Sequence, residues 1–232
     1  MDLIWTGGLE AAKLILSGNA DLLDIVALSI RISGLATLLS LVLGIPAGMV
    51  LALTRFPGRN FWVALVNTGM GLPPVVVGLF LSILLWRSGP LGFLQLLFTP
   101  SAMVLAQVII ASPIITGLTA AAIGQLNPKL RLQFLALGAS RSQILWLLVR
   151  EARLPLLAAL MAGFGGVISE IGASMMVGGN IRHATRVLTT ATVLETQKGN
   201  FDVAIALSLI LLFLTFIVNY ALTRFQLRKA AP

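Results

Sequence analysis

The chain has 232 residues, 58% of them hydrophobic and only 10% charged, with a net charge of +8 and a mean hydropathy of +0.99. A soluble domain carries about 25% charged residues, so a single soluble core is excluded and the bilayer becomes the relevant solvent. The basic excess does not read as nucleic-acid binding, because Lys and Arg lie in short groups between apolar runs with no aromatic platform among them; the lack of cysteine excludes disulfides, thiolate metal sites and cysteine nucleophiles.

In chain order, residues 1–20 come first. The apolar part, 3–18, is too short and too polar to span, so it reads as an amphipathic surface helix; Asp2 and Glu10, with no basic n-region, argue against a cleaved signal peptide. Crossing a hydrocarbon core takes roughly 20 apolar residues in a helix, and five segments qualify. The first covers about 25–53, interrupted only by Arg31. It carries a ridge of small residues, Ser29, Ser33, Thr37, Ser40, Gly44 and Gly48, which fits close helix packing or, at Ser33 and Thr37, a hydroxyl-lined path. The second covers about 61–86 and is broken near its middle by "GLPPV", with Pro73 and Pro74. "SGPLG" then marks a turn and "FLQLLF" a short interfacial or re-entrant piece. The third, about 100–126, opens on Thr99 as N-cap and Pro100 at the first helical position, and holds Ser112, Pro113 and Thr116. The fourth, about 154–177, carries Glu170 and Ser174 and stops at "GGN" (178–180); the fifth covers about 203–223.

Five spans put the termini on opposite sides. The connections 55–60, 129–153 and 224–229 hold ten Lys and Arg, against five in 1–24, 87–98 and 178–202. The positive-inside rule makes the first set cytoplasmic, with the amino terminus outside and the carboxyl terminus inside. The longest cytoplasmic connection, 127–153, is itself helix-shaped. Asn127–Pro128 starts one helix, Gly138 stops it, and Ser140 with Gln143 forms a capping box that starts a second. A basic helix lying on anionic lipid would not need that break.

"LGASRSQILWLLVREARLP" (137–155) resembles the cytoplasmic loop of permease subunits of ATP-binding-cassette importers, in which Glu-Ala-Ala is followed by a glycine and a downstream hydrophobic-Pro. Gly138, Ala139, Ser140 and Pro155 match that pattern; Leu132, Gln133 and Phe134 stand at its Glu-Ala-Ala positions, and Glu151 at its first proline. "LSIRISGLATLLSLVLGIPAGMVLAL" (28–53) and "GLPPVVVGL" (71–79) look like the family's first two core spans. "SEIGASMMVGGNIRHATRVLTTATVLETQKGN" (169–200) is similar to the fourth span and following loop of permeases for group-6 oxyanions, closest to the tungstate branch. The resemblance implies a single all-α permease domain over 1–232 with the MetI-like fold. It also implies an ATPase dimer that binds ATP and Mg, a second permease copy, and an extracytoplasmic binding protein. The ATPase groove would receive Leu135, Leu137, Gly138, Ala139, Ser140 and Arg141, and the membrane would be the prokaryotic inner membrane.

The residues agree with a transport role. No phosphate-binding G-x-x-x-x-G-K-[ST] is present, so ATP chemistry must come from elsewhere. The one histidine, His183, has no partner at metal-ligand spacing in the sequence. Arg31 and Glu170 are the two charges expected at membrane depth, where each costs about 2.5–3.5 kcal/mol on insertion scales; Arg31 either snorkels to the outer interface or pairs with Glu170. A carboxylate repels a dianion, so Glu170 is expected to accept hydrogen bonds or hold a cation. The translocation path is expected along Ser33, Thr37, Pro73, Pro74, Ser112, Thr116, Glu170 and Ser174. The competing readings are a molybdate or sulfate permease, a passive anion channel, and a membrane-embedded enzyme, which lacks a catalytic constellation.

Overall fold

The computed structural model describes residues 2–230; Met1, Ala231 and Pro232, at the ends of the expected domain, lie outside the described residues. The described residues form eleven α-helices and one 3-10 turn, with no strand. The helices are α1 (Asp2–Leu16), α2 (Ala20–Leu53), α3 (Arg59–Met70), α4 (Pro74–Leu85), α5 (Pro100–Gly124), α6 (Pro128–Ala136), α7 (Arg141–Glu151), α8 (Arg153–Ile168), α9 (Gly172–Gly178), α10 (Leu188–Gln197) and α11 (Phe201–Ala230). Three are long and apolar enough to cross a membrane unaided: α2, α5 and α11. The pairs α3–α4 and α8–α9 qualify as bent units, with angles of 101° and 56° at their breaks.

The α2–α5 pair is the spine, and the small-residue ridge explains it. A Cβ on Gly44 would lie 2.8 Å from Ile115, and one on Gly48 would lie 2.6 Å from the Thr116 carbonyl oxygen and the Thr119 Cβ. Ser40 donates to the Val108 carbonyl across the same seam. Without side chains to hold them apart, the two backbones approach closely, which is how helices associate where lipid supplies no hydrophobic drive. The ridge is thus a packing surface at Ser40, Gly44 and Gly48. At its other end Ser29 accepts the Leu188 N–H, seating the start of α10 against α2.

Several expected boundaries move. The first span begins at Ala20, where the Asn19 side chain caps it, five residues before its apolar run. The "FLQLLF" segment holds only the 3-10 turn Gly92–Leu94 and packs back on α9 through the Phe98 N–H and the Val177 carbonyl. The fourth span, expected to be continuous, breaks at Ser169–Ile171. The connection 178–202, expected as a loop, contains α10, with Thr185, Leu188 and Thr190 fully buried. The N-terminal segment is helical, as its pattern indicates, but does not stand alone. Gly7 lets α1 press against α11, where a Cβ would come within 2.4 Å of Ile205.

Candidate translocation site

The two breaks lie side by side. Gly71 ends α3, and Pro73 precedes α4 in extended backbone, so Pro74 starts α4 without an unsatisfied N–H. A Cβ on Gly172, the first residue of α9, would be 2.7 Å from Val75 in the first turn of α4. Helix α5 meets the same region, since Gly69 approaches Pro113 so closely that a Cβ would fall 2.8 Å away. Gly71, Pro73, Ser169 and Ile171 are all exposed within one chain. A broken helix frees backbone polar groups, which hydrocarbon cannot satisfy. This surface therefore has to face protein or water.

Glu170 sits in the second break, with only 7% of its surface exposed. Its Oε1 accepts the Ala173 N–H at 2.8 Å, and its carbonyl accepts the Thr189 hydroxyl at 3.0 Å. The carboxylate thus satisfies one of the orphan donors at the start of α9, and Thr189 anchors α10 to the break. The expected alternative, a pair with Arg31, is not formed: no ion pair among the described residues includes Arg31. Arg31 lines a separate cavity beside α10 and α11.

The remaining expected path residues divide into two groups. Pro73, Pro74, Glu170, Ser112 and Ser174 belong to the elements that meet at the breaks. Ser174 is fully buried, and neither its hydroxyl nor the buried hydroxyl of Ser112 has a hydrogen-bond partner among the described residues. Thr116 is buried in the α2–α5 seam beside Gly48. Ser33 and Thr37 lie on the α2 ridge, and the Thr37 hydroxyl donates to the Ser33 carbonyl at 2.7 Å. That leaves the Thr37 proton engaged within its own helix. Thr189, which holds the Glu170 break through its hydroxyl, is not among the expected residues, since its Thr-rich run reads as a loop in the sequence.

At the far end of the spans, α6 and α7 form the expected bent pair. Asn127 accepts the Lys129 N–H, Gly138 takes φ +80°, and both halves of the Ser140–Gln143 capping box are present. Phe134 and Ala139 pack onto a buried cluster that includes Met49, Ile123, Ile144 and Leu148. That cluster fixes the bend to the ends of α2 and α5. Leu132, Leu135 and Leu137 point away and are exposed, Leu137 to 83%. Arg150 stacks over Trp146 at 5.4 Å on the outer side of α7. Arg141 is exposed beside this apolar tip. Such a patch on a polar hairpin marks a partner surface.

Comparison with known proteins agrees with this geometry. Residues 44–230 match the family described as binding-protein-dependent transport system inner membrane component. A probable anion ABC transporter permease protein of Haloferax volcanii is 42% identical, the match covering 88% of this chain and 90% of the relative. The tungstate uptake system permease protein TupB of Peptoclostridium acidaminophilum is 35% identical, with 97% and 99% covered. Among solved structures, the inward facing MetNI methionine ABC transporter superposes with a TM-score of 0.74 at 20% identity, covering 91% of this chain and 96% of that one. The fold is MetI-like, and the chain belongs to the inner membrane components of binding-protein-dependent transport systems.

Proposed function

We propose that the chain is the permease of an oxyanion importer and that its cargo is tungstate. The observation that carries this is the 35% identity to a tungstate permease over nearly the full length of both chains. A molybdenum transport permease of Escherichia coli is 27% identical and a sulfate permease of Synechocystis 24%, which makes molybdate or sulfate the second reading. The break surface fits such cargo. No arginine among the described residues is positioned there, so an anion would be held only weakly as it passes.

The partners follow from the same surfaces. The exposed breaks call for a second copy of this chain, with the path between the two. The apolar tip at Leu132, Leu135 and Leu137, with Gly138, Ala139, Ser140 and Arg141, fits a groove on an ATPase dimer that binds ATP and Mg; this chain itself contributes no nucleotide site. The basic α6–α7 end is cytoplasmic, and the α10 end receives a binding protein. Alternating access then arises as the ATPases close and open and draw the two permeases with them.

The test is reconstitution in vesicles with the ATPase and the tungstate-loaded binding protein. Uptake that requires ATP and all three components is expected. Anion passage through vesicles holding this chain alone, without ATP, would overturn the importer reading in favour of a channel.

A further inference from the structure

Away from the breaks, a cavity of about 600 Å³ opens between the first turns of α2, the 179–187 connection, α10 and the start of α11. Its charged lining comprises Arg31, Arg182, Arg186 and Lys198, with Asp21, Asp24, Glu195 and His183. The carboxylates are largely committed. Asp21 pairs with Arg182 and also faces His183, Asp24 faces the other ring nitrogen of His183 at 3.3 Å, and Glu195 holds Lys198 at 2.7 Å. Two guanidinium groups remain outside any ion pair among the described residues, those of Arg31 and Arg186. Arg186 is oriented by Asn180, its Nε donating to the side-chain oxygen and its Nη2 to the carbonyl, each at 3.3 Å, and it also attracts the Glu195 carboxylate without closing an ion pair. The other N–H groups of its fork stay available. The apolar part of the lining comes from Leu22, Ile25, Val203 and Leu207.

Depth locates the cavity. Helix α2 has 34 residues, about 50 Å at 1.5 Å per residue, against about 30 Å of hydrocarbon. With the α6–α7 edge of the hydrocarbon taken at Leu53, roughly 20 residues reach back to Gly34, which puts Arg31 about one turn beyond it, at the headgroup level opposite α6–α7. Two guanidinium groups lining one cavity at headgroup depth match one ligand chemistry.

We propose that this cavity is a binding site for a tetrahedral oxyanion, gripped by Arg31 and Arg186. The anion is a phosphate group, borne by the headgroup of an anionic phospholipid, or a free oxyanion from solution. Planar forks recognise such oxygens in pairs, which a lysine does not reproduce. The site stands independently of the importer reading, since it requires only these side chains and the bilayer.

The full chain, purified and placed in nanodiscs of mixed phosphatidylglycerol and phosphatidylcholine, tests it by native mass spectrometry of the lipid that stays bound. A second arm uses nanodiscs of phosphatidylcholine alone and titrates sulfate and tungstate by calorimetry. Retention of phosphatidylglycerol over phosphatidylcholine by about tenfold identifies the lipid source; saturable binding of a free anion identifies the soluble one. In either case the Arg31→Gln, Arg186→Gln double variant is expected to lose the binding, while Arg141→Gln at the opposite end keeps it. Arg31→Gln alone, an exposed residue outside the core, should weaken binding at least about threefold, which keeps the test decisive should the double variant fail to fold. The proposal is overturned if the wild type binds neither ligand above the level of the double variant. It is equally overturned if Arg31→Gln leaves binding unchanged or Arg141→Gln abolishes it.

Discussion

Glycine is used at Gly44 and Gly48 for the absence of a side chain, and Gly34 on the same helix supplies the contrast. A Cβ at Gly48 meets backbone oxygen and Thr119 at 2.6 Å, whereas one at Gly34 meets nothing within 4 Å. Gly48→Ala is therefore expected to destabilise by about 1–3 kcal/mol through forced separation of α2 and α5. Gly34→Ala should be neutral or stabilise by up to about 1 kcal/mol through helix propensity. Thermal melting of both variants in one detergent reads the difference, and equal melting points would refute the packing account. Glu170 yields a second prediction at this scale. Its role in the structure is to accept an N–H, not to hold a cation, and Gln keeps an acceptor. Glu170→Gln should melt near wild type, while Glu170→Ala, which orphans the buried Ala173 amide, should lose about 1–3 kcal/mol.

Among the elements, the α6–α7 bend and α10 show what a sequence can and cannot disclose. The bend was legible because each of its signals is local: Asn127 before Pro128, Gly138, then Ser140 with Gln143. The break at Glu170 and the helix α10 were not, because distant partners hold them. Ser29 supports Leu188, Thr189 reaches Glu170, and Thr185 bonds the Gly178 carbonyl. A run such as "LTTATVLET" has weak helix propensity of its own and becomes helical through burial. The side-by-side placement of the two breaks is likewise invisible in sequence, since about a hundred residues separate Pro73 from Glu170. Locally encoded structure predicts locally sized effects. Gly138→Ala, at φ +80° in open space, should cost about 1–2 kcal/mol of bend stability and lower ATPase coupling more than it lowers the melting point of the spans. The α10–α11 junction responds to pH. Hydrogen bonds from Asn200 and then Lys198 hold the Glu195 carboxyl below its ordinary value of 4.5. A lowered carboxyl stabilises the fold at pH above its unfolded value, and that contribution fades as pH falls through the folded one. Protection factors at residues 195–200, with the intrinsic pH dependence of amide exchange divided out, should therefore fall on acidification below about pH 4.5, and Glu195→Gln should remove that change.

For the molecule as a whole, the decisive asymmetry is between two of its exposed surfaces. One is the face of α11, where Leu212, Phe213, Phe216 and Ile217 are exposed in a charge-free run, as lipid requires. The other is the pair of breaks, where Pro73 and Ile171 are exposed beside backbone that lipid cannot satisfy. If a second copy and a water-filled path cover the breaks, that surface is wet although it lies at membrane depth. The natural absence of cysteine makes this directly measurable, since any introduced thiol is the only one in the chain. The thiolate is the nucleophile that adds to a maleimide, and it forms in water and not in hydrocarbon. A charged maleimide should therefore label Pro73→Cys and Ile171→Cys in native membranes and leave Phe213→Cys unmodified, and addition of tungstate-loaded binding protein with ATP should change the first two rates alone. Labelling of Phe213→Cys at a rate equal to the others would mean that the α11 face, not the breaks, borders the aqueous path.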